Sequence, residues 1–222
     1  MELSERGITR HRHQLYDVAI SNIINSWVAH GDVALKKSLE QRIKEAIRED
    51  ISIAPYDSRW PKLYKDEAAF LRHNLPKSVV IRIEHFGSTA VPGLAAKPVI
   101  DMLVQVSSLA ETQEQIVPML EAEGYDYFWR TDVSPPYAWF IKRGSGGRRT
   151  HHIHMVEVDS KLWERLYFRD YLRDFPEEAK RYAELKRLLA EKHPNDRVAY
   201  TAGKAEYIMS ITERAKRHYG AA

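Results

Sequence analysis

The chain has 222 residues, which is enough for one α/β core with or without a helical extension. It contains no cysteine, which excludes disulfides, thiolate metal sites and a cysteine nucleophile and is typical of a reducing compartment. Its net charge of +3 permits an anionic ligand but does not argue for nucleic acid. The first residues lack the apolar core of a secretory signal, and no apolar run approaches the roughly 20 residues that span a bilayer. We therefore expect a cytoplasmic protein that binds neither a membrane nor nucleic acid.

Two amphipathic helices are predicted in the first part of the chain. Residues 9–30 carry a broad apolar face, and the following helix repeats Leu35, Leu39 and Ile43 at a spacing of four. Residues 1–50 are therefore predicted to form a helical hairpin, which either adds core to the domain that follows or forms a homodimer.

The middle of the chain is predicted to contain two buried strands joined by a turn of small residues. The run Val79–Phe86 is apolar and rich in β-branched residues, as buried strands are. It breaks at Gly87-Ser88-Thr89, where small side chains allow a sharp turn. A second apolar strand, Val99–Val106, follows Pro98.

The remaining pattern alternates between helical and extended segments. Leu63 is predicted to face the core from the helix that precedes the first strand. The predicted helices are 61–75, 109–123, 160–173, 176–192 and 196–218. The other predicted strands are 51–55, 125–131, 137–142 and 150–158. Because strands follow one another both through crossovers and through hairpins, residues 51–222 are predicted to form one α/β domain, a mixed β-sheet flanked by helices with a helical C-terminal region.

Asp101 is the residue that points most directly to a function. A charged group in so apolar a strand costs several kcal/mol unless it has a partner or a metal ion. The turn that precedes the strand offers free amides and hydroxyls, which can hold a phosphate, while a carboxylate on the neighbouring strand can hold the accompanying magnesium ion.

Two histidines are predicted to share one face of a strand. His152 and His154 are two residues apart, whereas Glu157 falls on the opposite face if the strand is regular. Imidazoles are good ligands for transition metals and poorer ligands for magnesium. The alternative is one buried, hydrogen-bonded ring and one exposed ring.

The sequence allows more than one role for several charged residues. Glu84 and His85 point to opposite faces, so one should approach the site and the other should make a structural contact. Arg148 and Arg149, with Lys142 and Arg143, form a basic hairpin tip that is either solvated or clamps a triphosphate or an acidic substrate.

Several separated motifs, in order, resemble one family. They are YDSRW at 56–60, EHFGSTAVPGLAAKPVIDMLV at 84–104, HIHMVE at 152–157, FRDYLR at 168–173 and AYTAGKAEYI at 199–208. Together they resemble the GrpB family of the nucleotidyltransferase-fold superfamily, over residues 50 to 217.

The resemblance implies roles for individual residues. A nucleoside triphosphate is the implied ligand, Mg²⁺ or Mn²⁺ the implied cofactor, and a small molecule or a protein the acceptor. The implied catalytic residues are Asp101, His154 and Glu84. The implied metal ligands are Asp101, His152 and His154. The implied phosphate- or nucleotide-binding residues are Gly87, Ser88, Thr89, Lys97, Arg149, Tyr200 and Lys204. Two of these lysines have an alternative interpretation. Lys97 could be a solvated lysine, and Lys204 could simply flank the apolar stripe of its helix.

One position departs from the superfamily pattern. The superfamily carries two acids two residues apart, whereas this chain has Leu103 two residues after Asp101. The departure removes a carboxylate that would bridge two metal ions. Three hypotheses follow: a nucleotidyltransferase, an inactive nucleotide-binding or regulatory module, and a homodimeric interaction protein.

Overall fold

The computed structural model describes residues 51–131 and 135–221. The predicted N-terminal helical hairpin lies outside the described residues. Within them, five strands form one sheet in the order β1-β2-β5-β4-β3. The strands are β1 (Val80–Phe86), β2 (Ile100–Val106), β3 (Asp126–Arg130), β4 (Tyr137–Arg143) and β5 (Arg149–Val156).

The sheet is mixed, as predicted. β1 pairs with β2 antiparallel, β2 pairs with β5 parallel, and β5, β4 and β3 pair antiparallel in that order. The predicted segment 51–55 contributes one bridge, between Ala54 and Ala96.

The helices follow the predicted segments with two interruptions. The described α-helices are α1 (Trp60–Asn74), α2 (Leu109–Glu111), α3 (Val117–Ala122), α4 (Arg165–Asp174), α5 (Pro176–Lys192), α6 (Arg197–Ala202) and α7 (Ala205–His218). A π-helical turn, Thr112–Ile116, joins α2 to α3. The single helix predicted over 196–218 is wrong, because the helix is interrupted at Gly203-Lys204, between the end of α6 and the start of α7. Gly203 packs so closely on α5 that a Cβ there would lie 2.5 Å from Leu189 Cδ2.

One face of the sheet packs on α1 and on the helical segment 109–122. Met102 and Ile153 from the sheet meet Leu71 of α1 and Leu120 of α3 in the largest apolar core. His85 also lies on this face, where its ring stacks on Tyr64 at a centroid distance of 4.7 Å. Alternation along the strands therefore sends Asp101, His152 and His154 to the other face.

The second face is covered by helices from the C-terminal part of the chain. The helices α4, α5 and α7 have their own apolar core, which includes Phe168, Tyr182 and Ile211. This helical layer stands opposite the polar residues of β2 and β5. The prediction for Leu63 is wrong, since 43% of the residue is exposed on α1. Among the described helices, none combines the length and apolar character needed to cross a membrane.

Candidate functional site

A cavity of about 430 Å³ lies between the sheet and the helical layer. Its sheet side includes Phe86, Asp101, Trp139, His152 and His154. Its helical side includes Arg165, Tyr182, Lys186, Arg197, Tyr200 and Lys204. The cavity therefore joins residues that are as much as 122 positions apart in the sequence, from Phe86 to Ile208.

The turn after β1 brings small polar groups against Asp101. Gly87 has φ 73°, a left-handed conformation that favours glycine. A Cβ on Gly87 would lie 2.4 Å from Asp101 Oδ2, so the close approach also requires glycine. Ser88 and Thr89 then form a short 3₁₀ turn at the cavity wall. The expected juxtaposition of this turn and the Asp101 carboxylate is present.

Asp101 is hydrogen-bonded to the neighbouring strand. Asp101 and His152 are partners in the parallel β2–β5 register, and His152 Nδ1 lies 3.1 Å from Asp101 Oδ1. The other ring nitrogen, Nε2, lies 3.3 Å from Arg149 Nη1. Because guanidinium can only donate, Nε2 accepts and the ring proton resides on Nδ1, which donates to Asp101. Arg149, His152 and Asp101 thus form one hydrogen-bonded chain.

The ionisation states of Asp101 and His152 follow from their burial and from the hydrogen bond between them. Burial lowers the pKa of His152 to about 4, so the ring is neutral at pH 7. Burial opposes ionisation of Asp101, but the hydrogen bond from His152 holds the pKa of the carboxyl below its usual range. At neutral pH the site therefore presents a carboxylate oriented by a neutral imidazole.

His154 is the second imidazole of the cavity. Its Nδ1 lies 3.2 Å from the hydroxyl of Tyr137, and burial lowers its pKa to about 3. One ligand atom from each of Asp101, His152 and His154 lies within 4.8 Å of the others. Both rings line the cavity, so the alternative of one buried and one exposed ring is wrong.

The cavity is strongly cationic. Among the described residues that line it, Asp101 is the one carboxylate, and the basic residues are Lys97, Arg130, Arg165, Lys186, Arg197 and Lys204. Burial lowers the pKa of Lys97 and Lys186 to about 7 and that of Lys204 to about 8. Lys97 is not the solvated lysine of the alternative, since it lies largely within the protein with Nζ 5.3 Å from the centre of the Tyr200 ring.

Comparison with known proteins assigns the family. Residues 50–214 match the model of a family described as GrpB protein. The chain belongs to the GrpB family.

Related proteins cover most of the described region. A UPF0157 protein of Pseudomonas aeruginosa is 41% identical over 177 residues, which are 79% of this chain and 72% of that protein. The glutamate-rich protein GrpB of Alkalihalophilus pseudofirmus is 34% identical over 165 residues, which are 73% of this chain and 94% of that protein. The crystal structure of conserved protein GrpB from Enterococcus faecalis aligns with a TM-score of 0.68 at 34% identity, over 76% of this chain and 99% of that chain.

In this GrpB-family chain, the position two residues after Asp101 is apolar. Leu103 is fully buried and packs with Phe86, Tyr137 and Val156, against which Leu162, Trp163 and Leu166 also lie. The residue beside Leu103 in the β2–β5 register is His154. The imidazole of His154 on the adjacent strand therefore lies next to the apolar position two residues after Asp101.

Some predicted site residues lie outside the cavity of the GrpB fold. Glu84 is on the cavity face of β1, but its carboxylate binds Arg169 at 3.0 Å and Arg82 at 2.9 Å, so the structure does not support a catalytic position for it. Of Glu84 and His85, it is His85 that makes a structural contact, since its ring stacks on Tyr64. Glu157 accepts a hydrogen bond from the backbone of Leu109, away from both histidines.

The predicted hairpin tip is present between β4 and β5, but most of the basic residues assigned to it do not lie exposed there. Lys142 Nζ pairs with the buried carboxylate of Glu67 at 2.5 Å, and Arg143 pairs with Asp126 at 2.8 Å. Arg149 is buried at the start of β5, outside the cavity lining, where its guanidinium contacts two lining residues, His152 and the Trp139 ring. Of this group, Arg148 alone remains an exposed tip residue.

The helical layer holds the functional residues that the sequence did not reveal. Tyr182 and Lys186 are four apart on α5, and both line the cavity. The sequence shows Lys186 as a lysine within the apolar stripe of a helix. This pattern alone does not distinguish a ligand-binding lysine from one that buries its aliphatic stem and keeps its charge in water. Tyr200 and Lys204 were predicted to share a helix face. Tyr200 lies on α6 and Lys204 lies between α6 and α7, yet Lys204 Nζ lies 4.2 Å from the centre of the Tyr200 ring.

Proposed function

We propose that this GrpB-family protein binds a nucleoside triphosphate together with a divalent metal ion and transfers the nucleotidyl group to a small-molecule or protein acceptor. One observation carries the proposal: a carboxylate stands beside a glycine-serine turn in a cavity whose other charged lining residues, among those described, are basic.

The chemistry of phosphoryl and nucleotidyl transfer matches these groups. The reaction needs an in-line attack and neutralisation of charge on the phosphoryl oxygens, and it needs little covalent participation from protein. Ser88 and the amides of the turn can donate to phosphate oxygens, and the lysines and arginines of the cavity can neutralise them.

The donor set fits a divalent ion that accepts nitrogen ligands. Asp101 and His154 would hold it, while His152 has both ring nitrogens engaged and would orient Asp101. One carboxylate with an imidazole suits Mn²⁺ better than Mg²⁺, whose ligands are mainly oxygens. The bound ion would supply charge neutralisation at the phosphates.

A labelled-nucleotide assay tests the function. Wild type incubated with α-³²P-labelled nucleotides, Mn²⁺ and candidate acceptors is expected to yield a labelled product, and Asp101→Asn is expected to lower its formation at least 100-fold, because the metal ligand is lost. Arg148→Gln, at an exposed tip, serves as the control with unchanged turnover. Equal turnover in Asp101→Asn and wild type would refute the proposed role of the carboxylate.

A second candidate function is nucleotide binding without transfer. Leu103 favours it, since the apolar cluster around this residue leaves no second carboxylate beside Asp101. In that case a nucleoside triphosphate raises the melting temperature, because the ligand binds only the folded state, and no acceptor becomes labelled.

A further inference from the structure

Three lysines of the cavity come from separate parts of the fold. Lys97 lies in the connection between β1 and β2, Lys186 on α5, and Lys204 between α6 and α7. Sheet and helical layer together therefore assemble this cluster, which we call the lysine cluster, and none of its members neighbours another in sequence.

The lysine cluster is poorly compensated within the protein. Lys186 is 2% exposed, and its Nζ donates to the carbonyl of Ala95 at 2.5 Å and lies 4.8 Å from the centre of the Tyr182 ring. Lys97 and Lys204 lie over the Tyr200 ring instead. No lysine of the cluster forms a salt bridge with a carboxylate in the described part of the chain. Ring faces and one carbonyl replace only part of the hydration that a buried ammonium loses.

The imbalance of charge in the cavity indicates a ligand with several negative charges. The three lysines line the same cavity as a single carboxylate of the described residues, Asp101. A monophosphate would offset a small part of that excess, whereas a chain of three phosphates presents several anionic groups in a row, which three ammonium groups can contact at once.

We propose that Lys97, Lys186 and Lys204 form a subsite that anchors the phosphate chain without a metal ion. The inference deepens the proposed function and rests on it for the identity of the nucleotide. It also gives a role to the loss of the second acid at Leu103: the positive charge that a second metal ion would bring to the phosphate chain is supplied by lysines.

The test uses inorganic tripolyphosphate and ATP in EDTA, measured by isothermal titration calorimetry with the full chain. Both are expected to bind wild type, with AMP at least tenfold weaker than ATP. Lys186→Met and Lys204→Met are each expected to weaken tripolyphosphate at least tenfold. Lys192→Met, an exposed lysine on the same helix as Lys186, is the matched control with unchanged affinity. Methionine keeps the length of the side chain and removes a costly buried charge, so both cluster variants should fold, as circular dichroism checks.

The outcomes separate this inference from the proposed function. No binding of tripolyphosphate in EDTA, or unchanged affinity in both Lys186→Met and Lys204→Met, overturns the lysine cluster as a subsite. If ATP then binds only with Mn²⁺ and Asp101→Asn abolishes transfer, the proposed function stands. If tripolyphosphate binds as tightly as ATP and no acceptor is labelled, the subsite stands and nucleotidyl transfer does not.

Discussion

Asp101 owes its geometry to two partners, a histidine on the next strand and a glycine in the preceding turn. His152 donates through Nδ1 because Arg149 occupies Nε2, so the arginine determines the tautomer and the tautomer determines how Asp101 is held. Under the proposed function, His152 therefore orients the Asp101 carboxylate and is not itself a ligand of the ion. His154 has its Nδ1 at the Tyr137 hydroxyl and lies next to Leu103.

Substitutions of the two histidines distinguish these roles. His152→Asn keeps an amide N–H at the position of Nδ1 and is expected to bind Mn²⁺ within about threefold of wild type, whereas His154→Asn is expected to weaken Mn²⁺ at least tenfold. Electron paramagnetic resonance of free Mn²⁺ measures both affinities. His152→Ala, which removes the donor to Asp101, is expected to bind more weakly than His152→Asn. An equal loss in His152→Asn and His154→Asn would show that His152 is itself a ligand.

At the scale of elements, the site depends on the junction between β1 and β2. Phe86 and Asp101 face each other at the end of the antiparallel pair, and the chain leaves β1 through a left-handed Gly87. The turn therefore reaches the carboxylate because the strands are paired in this register. A shift of one residue would send Asp101 to the apolar face that Met102 now occupies.

Gly87→Ala tests this junction. The substitution places a Cβ within 3 Å of Asp101 and forces a positive φ on alanine, so we expect a loss of about 1 to 3 kcal/mol in the free energy of unfolding. Mn²⁺ affinity is expected to fall as well, since the Asp101 side chain must move. Gly146→Ala, where a Cβ meets no atom within 4 Å and φ is not positive, is the control. Urea denaturation with equal midpoints for both variants would contradict the argument.

On the scale of the whole molecule, the helical layer closes the sheet and buries basic groups that an anion would compensate. The pKa of Lys186 is lowered to about 7 by burial and by the nearby charge of Lys204. Between about pH 7 and the ordinary pKa of lysine, the unfolded chain therefore holds a proton that the folded protein has released. The free energy of unfolding rises with pH over this window for that reason.

The pH dependence of stability follows from this linkage. The free energy of unfolding of wild type, minus that of Lys186→Met, is expected to increase by a few kcal/mol between pH 7 and pH 10, because the cost of the buried charge disappears as Lys186 loses its proton. Urea denaturation at pH 7, 8, 9 and 10 measures the difference. Tripolyphosphate affinity should change in the opposite sense and fall as the lysines become neutral. A difference that stays constant over this range would place the pKa of Lys186 near its ordinary value.

Much of the architecture was accessible from local patterns. The strand before Gly87 and the strand after Pro98 were predicted within one residue of their observed starts, and α5 was predicted with its observed ends. Alternation placed His152 and His154 on one face, and an acid in an apolar strand singled out Asp101. These features depend on near neighbours in the chain, which is why periodicity and composition predict them.

The tertiary structure decided what local patterns leave open. The sequence by itself determined the family, the mixed sheet and the carboxylate beside the turn. Only the folded chain showed that Arg149 and Glu84 lie outside the cavity, that the last predicted helix is interrupted at Gly203, and that Lys186 lies inside. The reason is that the partners of these side chains are distant in sequence: Arg169 binds Glu84 across 85 residues, and Lys186 reaches Ala95 across 91. The charge of the cavity is a property of the assembled sheet and helices, which no single segment carries.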